Sequence, residues 1–479
     1  MKKIILILMA LSFYAWGNDY ASWLKEEQNS FKNYKKSLDE EFSAALKKDW
    51  EAFNAMYTPN AYVEPKPITL PTLEKEQPLD MTVIDNSPLV DLTQEPLPQE
   101  RIPEEKIIKE AIKIDISFKK VAFNFYSKNI EINYNPHIGF LITSVSKDSI
   151  ANVWARFSNI DNTSLLSQIH TLVNQYHLND WATYLLVHKI GMEIYKTDNM
   201  ANLFTWYVLT QMNYDVKVGY SDQNIYLLSN MQHNLFQVAF LNIEGKKYYV
   251  LTPKGKIRSI ESIYTYKALH SNAKNALSFA FKQPLLLNSV YNNKALHFTY
   301  NNQSHTLETK YSSDLVAFYK TFPQSDYSIY FHANNSSLIN NSLLVQLKAL
   351  LKNKTEIEAV NMLLRFTQTA FAYQTDKEQF NYEKVFFPEE TFFYPYSDCE
   401  DRTILFSYLV KHILGLEVLG LKYSDHMAAA VKLSNLNPTK LDGFIYKNNY
   451  YTIADPTYMN ANIGMSMPEY KHKKFDIIK

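Results

Sequence analysis

From about Glu110 to the C-terminus the chain is written twice. Ser164-Leu165-Leu166-Ser167-Gln168-Ile169 matches Ser342-Leu343-Leu344-Val345-Gln346-Leu347, and Leu185-Leu186 matches Leu363-Leu364 at the same offset of 178 residues. Further on, Thr197-Asp198 with Leu203-Phe204 matches Ser397-Asp398 with Leu405-Phe406. Tyr220-Ser221-Asp222 matches Tyr423-Ser424-Asp425, and Tyr248-Tyr249 with Pro253 matches Tyr450-Tyr451 with Pro456. Upstream, the strand-like run IEINYN from Ile130 parallels LHFTYN from Leu296. Short matches arise by chance, but a collinear set with the same intervening pattern points to a duplicated unit. Each half opens with β-structure (about 110–155 and 280–335), followed by a helix-and-sheet unit. The fold class expected is therefore α+β.

The two copies differ where chemistry is at stake. Between Tyr394 and Thr457 lie the only cysteine, Cys399, then His426 27 residues on and Asp455 a further 29. After Cys399 the apolar residues Ile404, Leu405, Tyr408, Leu409 and Ile413 recur at helical spacing. Ser397 with Glu400, or Asp398 with Asp401, reads as the capping box that opens this helix. A cysteine in the first turn meets free N–H groups and the positive end of the helix dipole, which favour a thiolate. Leu416 to Tyr423 reads as a strand, His426 opens another (HMAAAVKL), and Tyr450 to Asp455 closes a hairpin turned at Lys447-Asn448-Asn449. A nucleophile on a helix tip, facing a base and an orienting carboxylate on a sheet, follows the logic of a catalytic triad. The bland alternative is a small buried cysteine and a capped core histidine.

In the first copy Cys399 falls against Thr197–Asp198–Asn199, His426 against Gln223 and Asp455 against Thr252. None of these supplies a thiolate, an imidazole or its carboxylate. The offset also jumps from 178 to about 202 ahead of the cysteine, so the second copy carries about 24 extra residues near Gln368 to Pro395. This aromatic, acidic insert reads either as the wall of a substrate cleft or as an ordinary surface excursion. Tyr373 or Gln374 within it, and Tyr396 beside it, are candidates for an oxyanion hole or cleft lining with the Cys399 N–H.

DCED at a helix start, HMAAAV and IADPT together resemble the cysteine, histidine and aspartate motifs of the transglutaminase-like superfamily, within the papain-like group, over roughly residues 341–470. The resemblance implies two tandem transglutaminase-like halves, the first degenerate, with Cys399 as nucleophile, His426 as base and then acid, and Asp455 as orienter. It implies an exported bacterial cysteine-dependent acyl-transfer enzyme, a peptidase or amidase working through a thioester. The alternatives are a protein cross-linking transglutaminase and a non-enzymatic envelope scaffold. Asp398, Glu400 and Asp401 flank the thiol, and nearby negative charge favours its protonated form. Some bacterial transglutaminase-like cysteine peptidases bind calcium through a similar DCED segment, so calcium at Asp398, Glu400 and Asp401 is an expectation by resemblance. The plain alternative is an acidic first turn that complements the helix dipole. No cofactor is required by the triad chemistry itself.

The remainder divides readily. Met1 to Gly17, with two lysines, an apolar run and Ala15-Trp16-Gly17, reads as a cleaved secretory signal, which places the protein in the periplasm or outside the cell. Residues 18–57 read as an amphipathic helical arm, with Phe31, Phe42 and Phe53 eleven residues apart, that packs on its own protein, binds a partner or self-associates. Residues 58–106 are proline-studded and read as a disordered linker. The body then divides into 107–270, the degenerate half, 271–340, a β-rich segment, and 341–479, the catalytic domain. Lys plus Arg equals Asp plus Glu at 49 each, so no basic field invites nucleic acid. No later run approaches the ~18 apolar residues of a membrane span. With ten glycines there is no phosphate loop, and a lone cysteine forms no intrachain disulfide. The partner expected is a protein or peptide substrate.

Overall fold

The structure, a computed structural model, describes residues 22–34, 36–37, 40, 64–70, 117–221, 223–255, 263–266, 268–287, 290–434 and 441–479. Residues 1–17, read as a signal, Phe42, Phe53 and most of 58–106, read as a linker, lie outside the described residues. Two compact units divide at Pro65. In the first, residues 22–34 form helix α1 with Trp23, Phe31 and Tyr34 all exposed.

The second unit begins with β1 (Ile68–Thr69), a hairpin of β2 (Lys119–Phe125) and β3 (Lys128–Tyr134), and helices α2 (Lys147–Ser158), α3 (Thr163–Gln175), α4 (Asp180–Tyr195) and α5 (Asp198–Gln211). Strands β4 (Val216–Ser221), β5 (Asn224–Asn230), β6 (Phe240–Ile243) and β7 (Lys246–Leu251) complete the first half. The second half opens on a hairpin again, β8 (Tyr291–Tyr300) and β9 (Gln303–Ser312). Short helices α6 (Ser313–Tyr319), α7 (Tyr327–Phe331), α8 (Ser337–Ile339) and α9 (Val345–Leu350) lead to α10 (Glu356–Thr369). Next come β10 (Ala372–Tyr373), α11 (Asp376–Phe380), α12 (Glu390–Phe393), β11 (Tyr396–Ser397) and α13 (Cys399–Leu409). The chain closes with β12 (Val418–Lys422), β13 (Met427–Val431), β14 (Gly443–Tyr446), β15 (Asn449–Ala454), β16 (Tyr458–Met459) and β17 (Asp476–Ile478). This is an α+β architecture.

The sheets run through the same order. The first is β4-β5-β7-β6; the second is β12-β13-β15-β14, with β17 added outside β12. All neighbours in both are antiparallel. Corresponding hairpins also turn alike. Tyr126-Ser127 and Asn301-Asn302 close the two opening hairpins, and Glu244-Gly245 and Lys447-Asn448 close β6–β7 and β14–β15. Every one of these residues has positive φ, the backbone that a two-residue turn needs to match strand twist. The hairpins correct one match: IEINYN lies in β3, a second strand, whereas LHFTYN lies in β8, a first strand. Both strands of a half-buried hairpin alternate with period two, so alternation alone does not tell them apart.

Packing joins the halves. One apolar cluster runs from Trp154, Trp181 and Leu227 of the first half to Phe318, Tyr330, Phe387, Cys399, Ile404 and Met427 of the second. A second core, with Phe298, Leu363, Phe366, Leu405 and Ala429, lies within the second half. The connecting stretch is pinned to the first half by bridges of Asn275 to Tyr214 and Leu277 to Met231. Residues 271–340 hold α6 to α8 as well as the β8–β9 hairpin.

The 368–395 insert is more than a surface excursion. Val385, Phe386 and Phe387 are each 1% exposed, and the Phe387 ring stacks on Tyr319 at 4.2 Å between centroids. Burying such a side chain contributes about 2–3 kcal/mol. Part of the expected linker is also ordered: Ile68 pairs with Met459, Thr69 with Tyr458, and Asn460 Nδ2 donates to the Lys66 carbonyl at 3.2 Å. Among the described residues no helix is long and apolar enough to cross a membrane.

Candidate active site

Parallel pairing of β10 with β11 sets Tyr373 opposite Ser397 and leads the chain into α13. Asp398 is extended and caps the helix, with Cys399 as its first residue. Of the two capping boxes readable in the sequence, Asp398 with Asp401 is the one formed. Asp401 Oδ2 accepts from the Asp398 N–H (3.5 Å) and Oδ1 from the Phe386 N–H of the insert (2.8 Å). Beneath this turn Arg402 is buried, donating to Ser397 Oγ (3.2 Å), the Gln368 carbonyl (3.2 Å) and the Phe371 carbonyl (2.7 Å). The Thr403 hydroxyl lies between the Cys399 carbonyl (2.7 Å) and the Met427 carbonyl (3.1 Å). One side chain thus ties the cysteine turn to the first residue of β13.

His426 immediately precedes that residue. Its Nε2 meets Asp455 Oδ2 at 2.8 Å, and both side chains are buried. The other oxygen, Asp455 Oδ1, accepts from the Thr457 N–H (2.9 Å), the Thr457 hydroxyl (2.9 Å) and the Tyr458 N–H (3.1 Å). Burial alone would raise the Asp455 carboxyl. The charge and hydrogen bond of His426, with the Thr457 donors, outweigh it and hold the group below the usual carboxylate range. With Nε2 engaged, proton exchange with a thiol falls to Nδ1. The imidazole packs against Tyr470 at 4.6 Å between ring centroids. Burial, then the charges of Asp425, Glu469 and Cys399, push the Tyr470 phenol upward, so this ring lies within electrostatic reach of the cysteine as well.

Cys399 itself is buried, and its Sγ donates to Glu400 Oε2 at 3.1 Å. Cys399 and Met427 share one apolar cluster. Tyr373 lies beneath the Arg402 guanidinium, 5.2 Å from ring centroid to Cζ. Gln374 follows it, half-buried, and Tyr396 is exposed beside Ala372.

The acidic expectation widens. Asp376 and Glu383, both from the insert, join the residues of the DCED segment. Carboxylate oxygens of Asp376, Glu383 and Glu400 lie within 4.8 Å of one another, and so do those of Asp376, Asp398 and Asp401. Burial and then the neighbouring carboxylates, Asp401 and Glu400, push the Asp376 carboxyl well up; burial does the same to Asp401. The Lys384 N–H donates to Asp376, while Lys384 Nζ pairs with Glu390 Oε1 at 2.7 Å. An all-oxygen donor set with crowded negative charge fits a hard divalent cation such as calcium.

Gln368 was not singled out by sequence reasoning, yet it organises the site. Its Nε2 lies within reach of three carbonyls, Asp455 (3.2 Å), Tyr458 (2.8 Å) and Ala461 (3.1 Å). Its Oε1 accepts from Arg365 Nε (3.2 Å) and the Asn460 N–H (3.1 Å). Gln368, Tyr470, Asp376 and Glu383 carry no local signal, because their roles come from contacts far away in the chain. Comparison with family models, with curated proteins and with solved structures found no match for this chain.

Proposed function

We propose that the second half is a cysteine-dependent acyl-transfer domain of transglutaminase-like type, acting on peptide or side-chain amides as a peptidase or amidase outside the cytoplasm. The observation that carries this reading is the 2.8 Å pairing of His426 with Asp455 at a strand that Thr403 ties to the helix whose first residue is Cys399. In the proposed reaction His426 Nδ1 takes the Cys399 proton as Sγ attacks the amide carbon. The protonated imidazole then gives that proton to the leaving nitrogen, and the C–N bond breaks to leave a thioester. Water, losing a proton to His426, attacks the thioester carbon; the acid departs and the thiol recovers its proton. A lysine amine in place of water would make the same domain a cross-linker. Asp455 keeps the ring oriented and stabilises its charged form.

Calcium, if bound, would be held by Asp376 with Asp398 and Asp401, or with Glu383 and Glu400, and would supply positive charge that offsets the carboxylates around the thiol. A second reading, a non-enzymatic scaffold, draws on the buried thiol and on a first half without triad residues.

Iodoacetamide labelling with a fluorogenic peptide-amide assay separates the readings. Rapid alkylation near pH 6–7 that falls sharply in His426→Ala, with turnover lost in Cys399→Ala, is the expected result. Slow alkylation indifferent to His426, with no turnover of any amide, would leave the scaffold.

A further inference from the structure

The first half keeps the place of the active site without its chemistry, and the hydrogen bonds say which residues now stand there. α5 begins at Asp198 as α13 begins at Cys399. Four residues into each helix a side chain reaches the adjoining strand: Asn202 Nδ2 donates to the Ile225 carbonyl (2.8 Å), as Thr403 Oγ1 does to that of Met427 (3.1 Å). Ile225 therefore corresponds to Met427, and Asn224 to His426, one residue beyond the Gln223 that spacing alone selects. The ladders agree. Leu227 pairs with Leu251 as Ala429 pairs with Ala454, which sets Thr252 in the place of Asp455.

These three counterparts line a single cavity of about 790 Å³, together with Asn124 from β2, His188 from α4 and Tyr226 from β5. That volume falls within the range of ligand pockets. We propose that the cavity is a second binding site for substrate, taking an extended, uncharged stretch of polypeptide and holding it while the second half acts on another part of the same chain. This rests on the reading of the second half as acting on peptide amides.

The chemistry of the lining selects that class of ligand. The amides of Asn124 and Asn224 each offer a donor and an acceptor, the complement of a peptide C=O and N–H. Asn199 commits its own amide to the Gln223 carbonyl (2.7 Å) and the Ile225 N–H (2.8 Å), so the strand that carries Asn224 is held in advance. Charge is mixed and small. Asp198 is one carboxylate, Lys189 pairs with Glu193 at 2.8 Å, and Lys254 is exposed at the rim. His188 is buried, which pushes its imidazole down to about 4 and leaves it neutral at physiological pH. No field of either sign gathers phosphates or polyanions here. Tyr226 and the half-buried Tyr126 supply apolar contact for side chains. With no thiol at the helix tip, the site holds a chain and forms no thioester with it.

The test is photo-crosslinking of the full chain with a random dodecapeptide pool carrying benzophenone, read by mass spectrometry, in wild type and in Cys399→Ala. Crosslinks around Asn124, Asn224 and Tyr226 are expected in both. Asn224→Trp, which fills the cavity, should lower their yield by about tenfold or more while leaving Cys399 alkylation unchanged. Asn124→Arg, on a separate element, should do the same and guards against a misfolded first variant. Crosslinks confined to the Cys399 region, or indifferent to both variants, overturn the proposal, as does a glycan array whose binding, and not that of peptides, responds to Asn224→Trp. Peptide turnover with no crosslink at the cavity sinks this proposal alone. Crosslinks at the cavity without any turnover sustain a peptide-binding site there and sink the acyl-transfer reading, and with it the role of that site in holding a substrate.

Discussion

The two halves share strand order, turn geometry and a clamp between helix and strand, yet they differ in what surrounds the helix tip. In the second, Cys399 is buried with its thiol on Glu400, and Asp376, Glu383, Asp398 and Asp401 cluster with that carboxylate or with one another. In the first, Asp198 is exposed at the mouth of a cavity. The sheet order and the helix-to-strand clamp thus do not depend on Cys399, His426 and Asp455, and what separates the two helix tips is three side chains and one insert. The insert matters as much as Cys399, His426 and Asp455, since it brings Asp376, Glu383, Lys384 and Phe387 to a helix and sheet that the first half also has.

The largest expected effect breaks the comparison outright. Cys399→Ala should abolish amide turnover, and Asp198→Cys in that background should not restore it, because Asn224 and Thr252 supply neither base nor orienter. His426→Ala should be nearly as severe, and Asp455→Asn should cost on the order of 10²–10⁴-fold in kcat. Turnover in the double variant Cys399→Ala/Asp198→Cys would make the halves equivalent after all.

Next in size is the junction. Phe387→Ala should destabilise the chain by about 3–5 kcal/mol, read as a lower urea midpoint, because it opens a cavity where the halves meet. An unchanged midpoint would demote the insert to a mere wall.

Glu389, also of the insert, sharpens the contrast through pH. It is buried and accepts from the Ser312 N–H (2.5 Å), the Ser336 N–H (2.7 Å) and the Ser336 hydroxyl (2.7 Å). Burial pushes its carboxyl from 4.5 up to about 7. Between those values the folded chain keeps a proton that the unfolded chain has released. Stability from this group is therefore full below 4.5 and falls by about 3 kcal/mol as pH rises to 7. Denaturant titrations at pH 4.5 and 7.5 should show that slope flattened in Glu389→Gln.

The smallest effect tests the shared clamp. Thr403→Val and Asn202→Ala should each cost about 1 kcal/mol, a neutral hydrogen bond apiece. A large loss in only one half would mean that the two clamps are not equivalent.

Much of this was legible in local pattern. The helix start at Cys399, the hairpin turned at Lys447-Asn448 and the spacing of His426 from Asp455 all follow from turn chemistry and periodicity, which act over a few residues. What stayed hidden depends on tertiary contact. Nothing near Asp376 or Glu383 announces that they meet the DCED segment, and a glutamine at the end of α10 looks like any polar helix residue. Register was the other blind spot. A shift of one residue between Gln223 and Asn224 leaves the similarity of the copies almost unchanged, and only the ladder and the Asn202 bond decide it.

Gln368 has a consequence for how the molecule fails on heating. Its amide joins α10 to the loop that carries Asp455, and its carbonyl takes a hydrogen bond from Arg402 under the cysteine turn. These hydrogen bonds couple all three elements, so the loss of one should bring the loss of the others. Inactivation on warming should then follow the global melt, with no temperature window in which a folded protein has already lost its site.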